Sequence, residues 1–194
     1  MLQSDSQTQN LKYVLIVNNK NIGHVFASQT KEANYIYYKI QSRAKVDIFI
    51  SFMNDFIMNT NFKDGVMTES FTERRVNEAI TDYCKISFVD NVYQIDYKKQ
   101  KKYLKDYKLQ YTVACLYFIE PKGLKTVFSE SYGQFLPIKV VGNQYELTLP
   151  TGQKNFYSYK DGICVEADIY NAFTKVIFKL VENTTEIKKP DSLK

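Results

Sequence analysis

The residues that could do chemistry in this chain are few and scattered. His24 is the only histidine, so Ser/His/Asp or Cys/His catalysis would have to use it, and no nucleophile motif accompanies it. Glu166 and Asp168 form a carboxylate pair at i and i+2 on one face of a predicted strand, a spacing that can support acid and base chemistry. Outward strand faces ordinarily carry such residues, so the pair alone does not predict a catalytic site.

The cysteines do not predict a metal site or a disulfide framework. Cys84, Cys115 and Cys164 are too scattered, and no C-x-x-C or Cys/His grouping exists that would hold zinc. Cys84 alternates in phase with Ile86 and Phe88, and Cys115 lies in an apolar stretch, so we predict that both are buried and inert. Cys164 shares its strand face with Glu166 and Asp168, so we predict that it is the most reagent-accessible thiol unless that face of the sheet is covered. We expect no metal and no cofactor.

The net charge of +5 is concentrated in one segment. Residues 98–108 contain six lysines against Asp106, whereas the rest of the chain carries twenty basic and twenty acidic residues. A nucleic-acid surface spreads its basic residues over a face and interleaves stacking groups, so we expect no nucleic-acid partner. A solvated loop or the start of a helix is the favoured interpretation of 98–108. Weak contact with an anionic surface, such as phosphate or headgroups, is the alternative.

Aromatic content and turn signals predict an all-β, mainly antiparallel fold. The chain has sixteen Tyr and thirteen Phe, which suit pleated, half-buried strands. Short strands follow one another through turn residues at 18–21, Asp64-Gly65 and 90–91, with no helical period between them, so the pattern is a β-meander and excludes a Rossmann arrangement. Apolar spacing then predicts one helix near 107–119, ended by Glu120-Pro121. Six further strands are predicted at 125–129, 134–141, 145–149, 153–159, 163–170 and 175–181.

The ends of the chain look different from its middle. Residues 1–10 are polar and lack the basic and apolar regions of a signal peptide, so we expect a disordered tail there. Residues 11–182 should form a single β-barrel-like domain, and 183–194 a polar tail. The longest apolar run, at 113–119, is far shorter than the about 18 residues that a membrane helix needs.

Several turn and aromatic patterns carry a family resemblance. They are 18–23 (NNKNIG), Asp64-Gly65, 116–123 (LYFIEPKG), 128–133 (FSESYG) and 149–159 (LPTGQKNFYSY) followed by 161–163 (DGI). In these segments the chain resembles an uncharacterised exported β-domain family of Bacteroidetes bacteria. The resemblance implies a curved, partly open barrel with a helix against its concave side, and a periplasmic or envelope location behind a removed signal peptide. It implies no activity and no established site residues.

Three functions remain open on these grounds. If the helix crosses the concave face, five side chains should gather at one mouth of the barrel and hold an amphipathic or apolar small molecule: Phe118, Glu130, Tyr132, Tyr157 and Tyr159. That hypothesis makes the chain a noncatalytic binding module. The alternatives are a filled barrel with a structural or protein-interaction role and, less favoured, a hydrolase or isomerase using Glu130, Tyr132, Glu166 and Asp168.

Overall fold

Fourteen antiparallel strands and one short 3₁₀ helix make up the computed structural model, which describes residues 5–47, 51–170 and 174–188. The helix is Val113–Tyr117. The strands are β1 Ser6–Val17, β2 Lys20–Glu32, β3 Tyr35–Asp47, β4 Ser51–Lys63, β5 Val66–Val76, β6 Ala79–Val89, β7 Val92–Tyr97, β8 Gln100–Lys105, β9 Thr126–Ser129, β10 Gln134–Val141, β11 Gln144–Thr148, β12 Lys154–Lys160, β13 Ile163–Tyr170 and β14 Lys175–Lys188. The prediction of an all-β meander is confirmed.

One sheet contains all of these strands, and each strand pairs with its neighbour along the chain within two runs, β1 to β8 and β9 to β14. The pairing of β1 with β14 joins the runs, so β8 and β9 are the two edges of the sheet. Two apolar clusters lie inside the curved sheet. The larger is built on β1–β7 and the smaller on β9–β13.

Tight turns explain why neighbouring strands pair. Asn18 and Asn19 have φ of 47° and 61°, and Asp64 and Gly65 have φ of 51° and 75°, the left-handed geometry that a two-residue hairpin requires. Asn, Asp and Gly tolerate this geometry at little cost. The predicted turns at these positions are therefore confirmed.

Most of the segment predicted to be a helix, residues 107–119, has no helical structure. Only Val113–Tyr117 is helical, as a single 3₁₀ stretch. Before it, Leu109 is held by its backbone: its N–H donates to the Tyr93 hydroxyl at 3.1 Å, and its carbonyl accepts from the Met67 N–H at 2.8 Å. These tertiary hydrogen bonds outweigh the helical spacing of the apolar residues. Residues 109–118, called the plug below, lie inside the sheet with six buried side chains: Leu109, Thr112, Ala114, Cys115, Leu116 and Phe118.

The predicted tails are partly ordered, which corrects the expected boundaries. Residues 6–10 lie in β1, where they pair with 28–32 of β2 and with 184–188 of β14. The side chains here are polar, so the sequence carries no burial signal, but the backbone hydrogen bonds of three neighbouring strands order the segment. Residues 1–4 and 189–194 lie outside the described residues.

A β-bulge reverses the predicted exposure of Cys164. The register of β12 and β13 shifts so that Ser158 pairs with Glu166 but Tyr159 pairs with Cys164, which leaves one extra residue on β13. Cys164 therefore faces inward together with Ala167 and is 1% exposed. All three cysteines are free and buried, as predicted for Cys84 and Cys115 only. Burial raises the pKa of Cys164 to about 12, so the prediction of an accessible thiol is wrong.

Candidate functional site

Glu130 lies in the interior and holds the start of the 3₁₀ helix within the plug. It follows β9 directly and is 0% exposed. Its Oε2 accepts the Val113 N–H at 3.1 Å, and its Oε1 accepts the Ala114 N–H at 3.1 Å and the Thr60 hydroxyl at 3.3 Å. Burial raises the pKa of this carboxyl, and its hydrogen bonds oppose that change. The carboxyl thus fixes the 3₁₀ helix to β4 and satisfies two otherwise unpaired N–H groups.

Phe118 and Tyr132 also pack against other aromatic and apolar side chains of the chain. Phe118 is 5% exposed, and its ring centroid lies 5.6 Å from that of Tyr38. Tyr132 is half-buried and packs against the smaller apolar cluster, and burial raises the pKa of its hydroxyl. Phe118 is therefore an interior residue, whereas part of the Tyr132 side chain is exposed.

Tyr157 and Tyr159 meet the plug from β12. Tyr157 is 6% exposed within the smaller cluster. Tyr159 is half-buried, donates its hydroxyl to the Leu116 carbonyl at 2.7 Å, and meets the Tyr145 ring edge-on at 5.5 Å. Burial raises the pKa of both hydroxyls. Phe118 thus lies in the plug, Glu130 and Tyr159 bond to it, and Tyr132 and Tyr157 join the apolar cluster that contains Leu116. Their part in ligand binding stays a prediction.

Further tyrosines complete this interior, and no sequence pattern pointed to them. Tyr13 donates its hydroxyl to the Cys164 carbonyl at 2.8 Å, Tyr93 donates to the Met67 carbonyl at 2.9 Å, and Tyr111 donates to the Ile119 carbonyl. The first two bonds each join two strands, and the third joins the segments before and after the 3₁₀ helix. A buried tyrosine needs such a partner for its hydroxyl, so backbone carbonyls decide where these rings lie.

A groove on the outer face of the sheet is open to solvent. Its volume is about 330 Å³. Two rows of cross-strand neighbours line it: Glu182, Lys12, Phe26 and Gln41 in one, and Asn10, Ser28 and Lys39 in the other. We call it the outer groove. Sequence analysis missed it because the residues come from four strands whose register a single sequence does not reveal.

The outer groove contains an exposed aromatic ring beside a lysine ammonium group. Phe26 is 54% exposed, and the Lys12 ammonium lies 5.6 Å from its ring centroid. The ring of His24, two residues away on β2, is tilted against Phe26 at 6.3 Å. Lys39 contributes a second ammonium to the groove, and the Asn10 and Gln41 amides and the Ser28 hydroxyl contribute neutral hydrogen-bonding groups. The groove is therefore amphipathic.

The carboxylates of the enzyme hypothesis are divided between the two faces of the sheet. Asp168 lies on the outer face, where its Oδ2 pairs with the Lys175 ammonium at 3.2 Å, whereas Glu130 is bound to the plug inside. Among the described residues, no group of three His, Cys, Asp or Glu side chains could hold a metal ion.

Five of the six lysines of 98–108 belong to a hairpin and an edge strand, and Lys108 lies in the irregular segment that follows. Lys98 and Lys99 form the turn between β7 and β8, with φ of 48° and 66°. Lys98 pairs with Asp82 at 3.0 Å, and the Lys102 ammonium lies 5.5 Å from the centroid of the Tyr97 ring. Their contact with an anionic surface stays a prediction.

Comparison with known proteins shows the family. Residues 13–181 match a family described as a domain of unknown function, DUF6134. The chain belongs to this family. No curated protein matches it. Membership of an uncharacterised family agrees with the resemblance seen in the sequence, whereas the Bacteroidetes origin and the export that it implied stay predictions.

A solved structure shares the fold of this DUF6134 chain. It is the crystal structure of a β-barrel-like protein of the domain of unknown function DUF1849 from Brucella abortus. The two share 12% sequence identity with a TM-score of 0.54, over 97% of this chain and 99% of that one. At this identity the likeness shows the barrel-like fold alone. No helix among the described residues has the length and apolar character to cross a membrane.

Proposed function

We propose that this chain is a noncatalytic binding module of the periplasm or cell envelope, and that it holds an amphipathic small molecule in the outer groove. The observation that carries the proposal is the exposed Phe26 ring beside the Lys12 and Lys39 ammonium groups. The barrel interior offers less room, because the plug and the predicted tyrosines occupy it. The location rests on the family resemblance.

The groove chemistry favours a ligand with a flat apolar part and one anionic group. An apolar ring can stack on Phe26, and a carboxylate or sulfonate can pair with Lys12 or Lys39. The amides of Asn10 and Gln41 and the Ser28 hydroxyl can then fix its orientation. Glu182 stands opposite Lys12 and disfavours a second negative charge on that side. The volume lies near the lower limit of roughly 300 Å³ for ligand pockets, so we expect a small ligand and weak binding.

Binding of 1-anilinonaphthalene-8-sulfonate, which has fused rings and one sulfonate, tests this site by fluorescence titration. We expect Phe26→Ala to weaken binding about tenfold and Lys12→Gln with Lys39→Gln to weaken it further, since a charge-assisted contact is worth roughly 1.5–3 kcal/mol. Val140→Ala is the matched control, because Val140 is 63% exposed on β10, away from the groove.

Two results would contradict the proposal that the outer groove is the binding site. If Tyr159→Phe weakens binding and Phe26→Ala does not, the ligand enters the interior, as the sequence predicted. If the folded protein binds no probe at all, the structural or interaction role is favoured. Cell fractionation tests the location, and a cytoplasmic protein would contradict it.

A further inference from the structure

The two edge strands of the sheet differ in whether another part of the chain covers them. The edge strand β9 is covered by the plug, since Thr112 forms a parallel bridge with Phe128. The edge strand β8 pairs with β7 on one side, and no described strand pairs with its other side. An uncovered edge presents backbone N–H and C=O groups that another chain can pair with.

The hairpin geometry determines which backbone groups are free. Positive φ at Lys98 and Lys99 is typical of a type I′ turn, so Tyr97 and Gln100 exchange hydrogen bonds. Bonded and non-bonded pairs alternate along an antiparallel ladder, so Lys102 and Leu104 also bond to β7. The N–H and C=O groups of Lys101, Tyr103 and Lys105 point away from the sheet. We call these three residues the β8 edge.

The side chains of the β8 edge are basic and exposed. Tyr103 is 62% exposed, and Lys101 and Lys105 are also exposed. Within the described part of the chain, neither lysine makes an ion pair within 4 Å. The segment 98–108 carries a surplus of five positive charges, equal to the net charge of the whole chain. Two copies pairing through this edge would place lysines near lysines, which disfavours a second copy as the occupant.

We propose that the β8 edge is a docking site for an extended, acidic segment of a partner protein, which adds to the sheet as a fifteenth strand. Backbone hydrogen bonds would supply the affinity, and pairing of Glu or Asp with Lys101 and Lys105 would supply the selectivity. The exposed Tyr103 ring would pack on an apolar side chain opposite it. This site is separate from the outer groove and does not depend on its ligand.

The probe is a short fluorescein-labelled peptide with Glu, Val and Glu at alternate positions and Thr between them, so that Glu, Val and Glu lie on one face opposite Lys101, Tyr103 and Lys105. It is titrated with the full chain by fluorescence polarisation. Tyr103→Pro removes one outward N–H without breaking a bond to β7, so the strand should survive the change. We expect Tyr103→Pro to weaken binding about tenfold more than the matched Tyr103→Ala. Lys101→Glu with Lys105→Glu should abolish binding, and rising salt should weaken it.

An N-methylated version of the same peptide keeps the test decisive if Tyr103→Pro fails to fold. Methylation blocks the peptide's N–H groups and leaves the protein unchanged, so a strand-pairing site should lose the modified peptide. Equal binding of both peptides would overturn the proposal and indicate a purely electrostatic contact. Binding to phosphatidylglycerol vesicles without binding to the peptide would assign the lysines to a membrane surface. If neither probe binds, the proposal is wrong, and the lysines serve only to prevent another strand from pairing with this edge.

Discussion

Tyr37 and Tyr38 are neighbours in sequence on β3 and lie on opposite faces of the same sheet. Tyr38 is 3% exposed, and its hydroxyl accepts a hydrogen bond from the Gln29 amide at 2.8 Å. Tyr37 is 36% exposed and stacks on Tyr35 with ring centroids 6.0 Å apart. Aromatic content therefore says that the chain forms strands but not which rings support the fold. The inner face packs the core, and the outer face leaves its rings exposed to solvent.

The largest loss of stability should come from Glu130→Ala on the inner face. The substitution leaves the N–H groups of Val113 and Ala114 buried without their acceptor and creates a cavity beside the plug. We expect a loss of about 4 kcal/mol in the free energy of unfolding, measured by urea denaturation. Glu130→Gln retains one acceptor oxygen and should lose less. A loss below about 1 kcal/mol for the alanine variant would show that the plug does not depend on this carboxyl.

Gly23→Ala tests how closely the strands around the barrel approach one another. A Cβ at Gly23, whose φ is 155°, would lie 2.0 Å from the Arg43 carbonyl oxygen and 2.8 Å from the Ala44 Cα. Because both contacts are with backbone, we expect a loss of about 3 kcal/mol. Gly142→Ala is the matched control, since φ there is 59° and nothing lies within 4 Å of the added Cβ. It should lose only about 1 kcal/mol. Equal losses would mean that conformational strain, and not the contact, sets the cost.

The pH dependence of stability should report the buried state of Glu130. Burial raises the pKa of this carboxyl above its ordinary value of 4.5, so the folded protein holds the proton more tightly than the unfolded chain does. Its contribution to stability is therefore fully present below pH 4.5 and is lost as the pH rises through the raised pKa. Glu130→Gln should remove this decline, because a glutamine side chain binds no proton in this range. Each tenfold difference in proton affinity between the folded and unfolded states corresponds to about 1.4 kcal/mol of stability. Urea denaturation across the pH range measures the decline, and identical profiles for the two proteins would contradict the raised pKa.

Sequence analysis predicted where the strands lie better than it predicted which face of the sheet each side chain occupies. Turn residues such as Asp64-Gly65 determine local geometry, so the hairpins were predictable from neighbouring residues alone. The exposure of Cys164 was not predictable, because one bulge residue on β13 shifts every later side chain to the other face. The plug was mistaken for a helix because its structure depends on bonds from Leu109 to Met67 and Tyr93, which are distant in sequence.

The same limit applies to the candidate sites. Phe118 lies in the plug, Glu130 and Tyr159 bond to it, and Tyr132 and Tyr157 belong to the smaller apolar cluster, whereas their joint part in binding stays a prediction. Their burial was not predictable, because a tyrosine at a cleft and a tyrosine in a core have the same sequence pattern. The outer groove depends on the pairing of β14 with β1, which come from opposite ends of the chain, and on the bulge between β1 and β2, and a single sequence carries no signal for either.

The smallest effect on stability should come from Phe26→Ala, and it tests the comparison between the faces directly. Phe26 and Tyr38 stand on the paired strands β2 and β3, but Phe26 is 54% exposed on the outer face and Tyr38 is 3% exposed on the inner face. Removing the Phe26 ring leaves no internal cavity, so we expect a change within about 0.5 kcal/mol. Removing the Tyr38 ring should cost about 3 kcal/mol, because Phe62 and Phe118 lose the ring they pack on. Urea denaturation of both alanine variants measures the difference. If Phe26→Ala is destabilised as strongly as Tyr38→Ala, the outer ring supports the fold, and weaker probe binding by that variant could no longer be assigned to the groove.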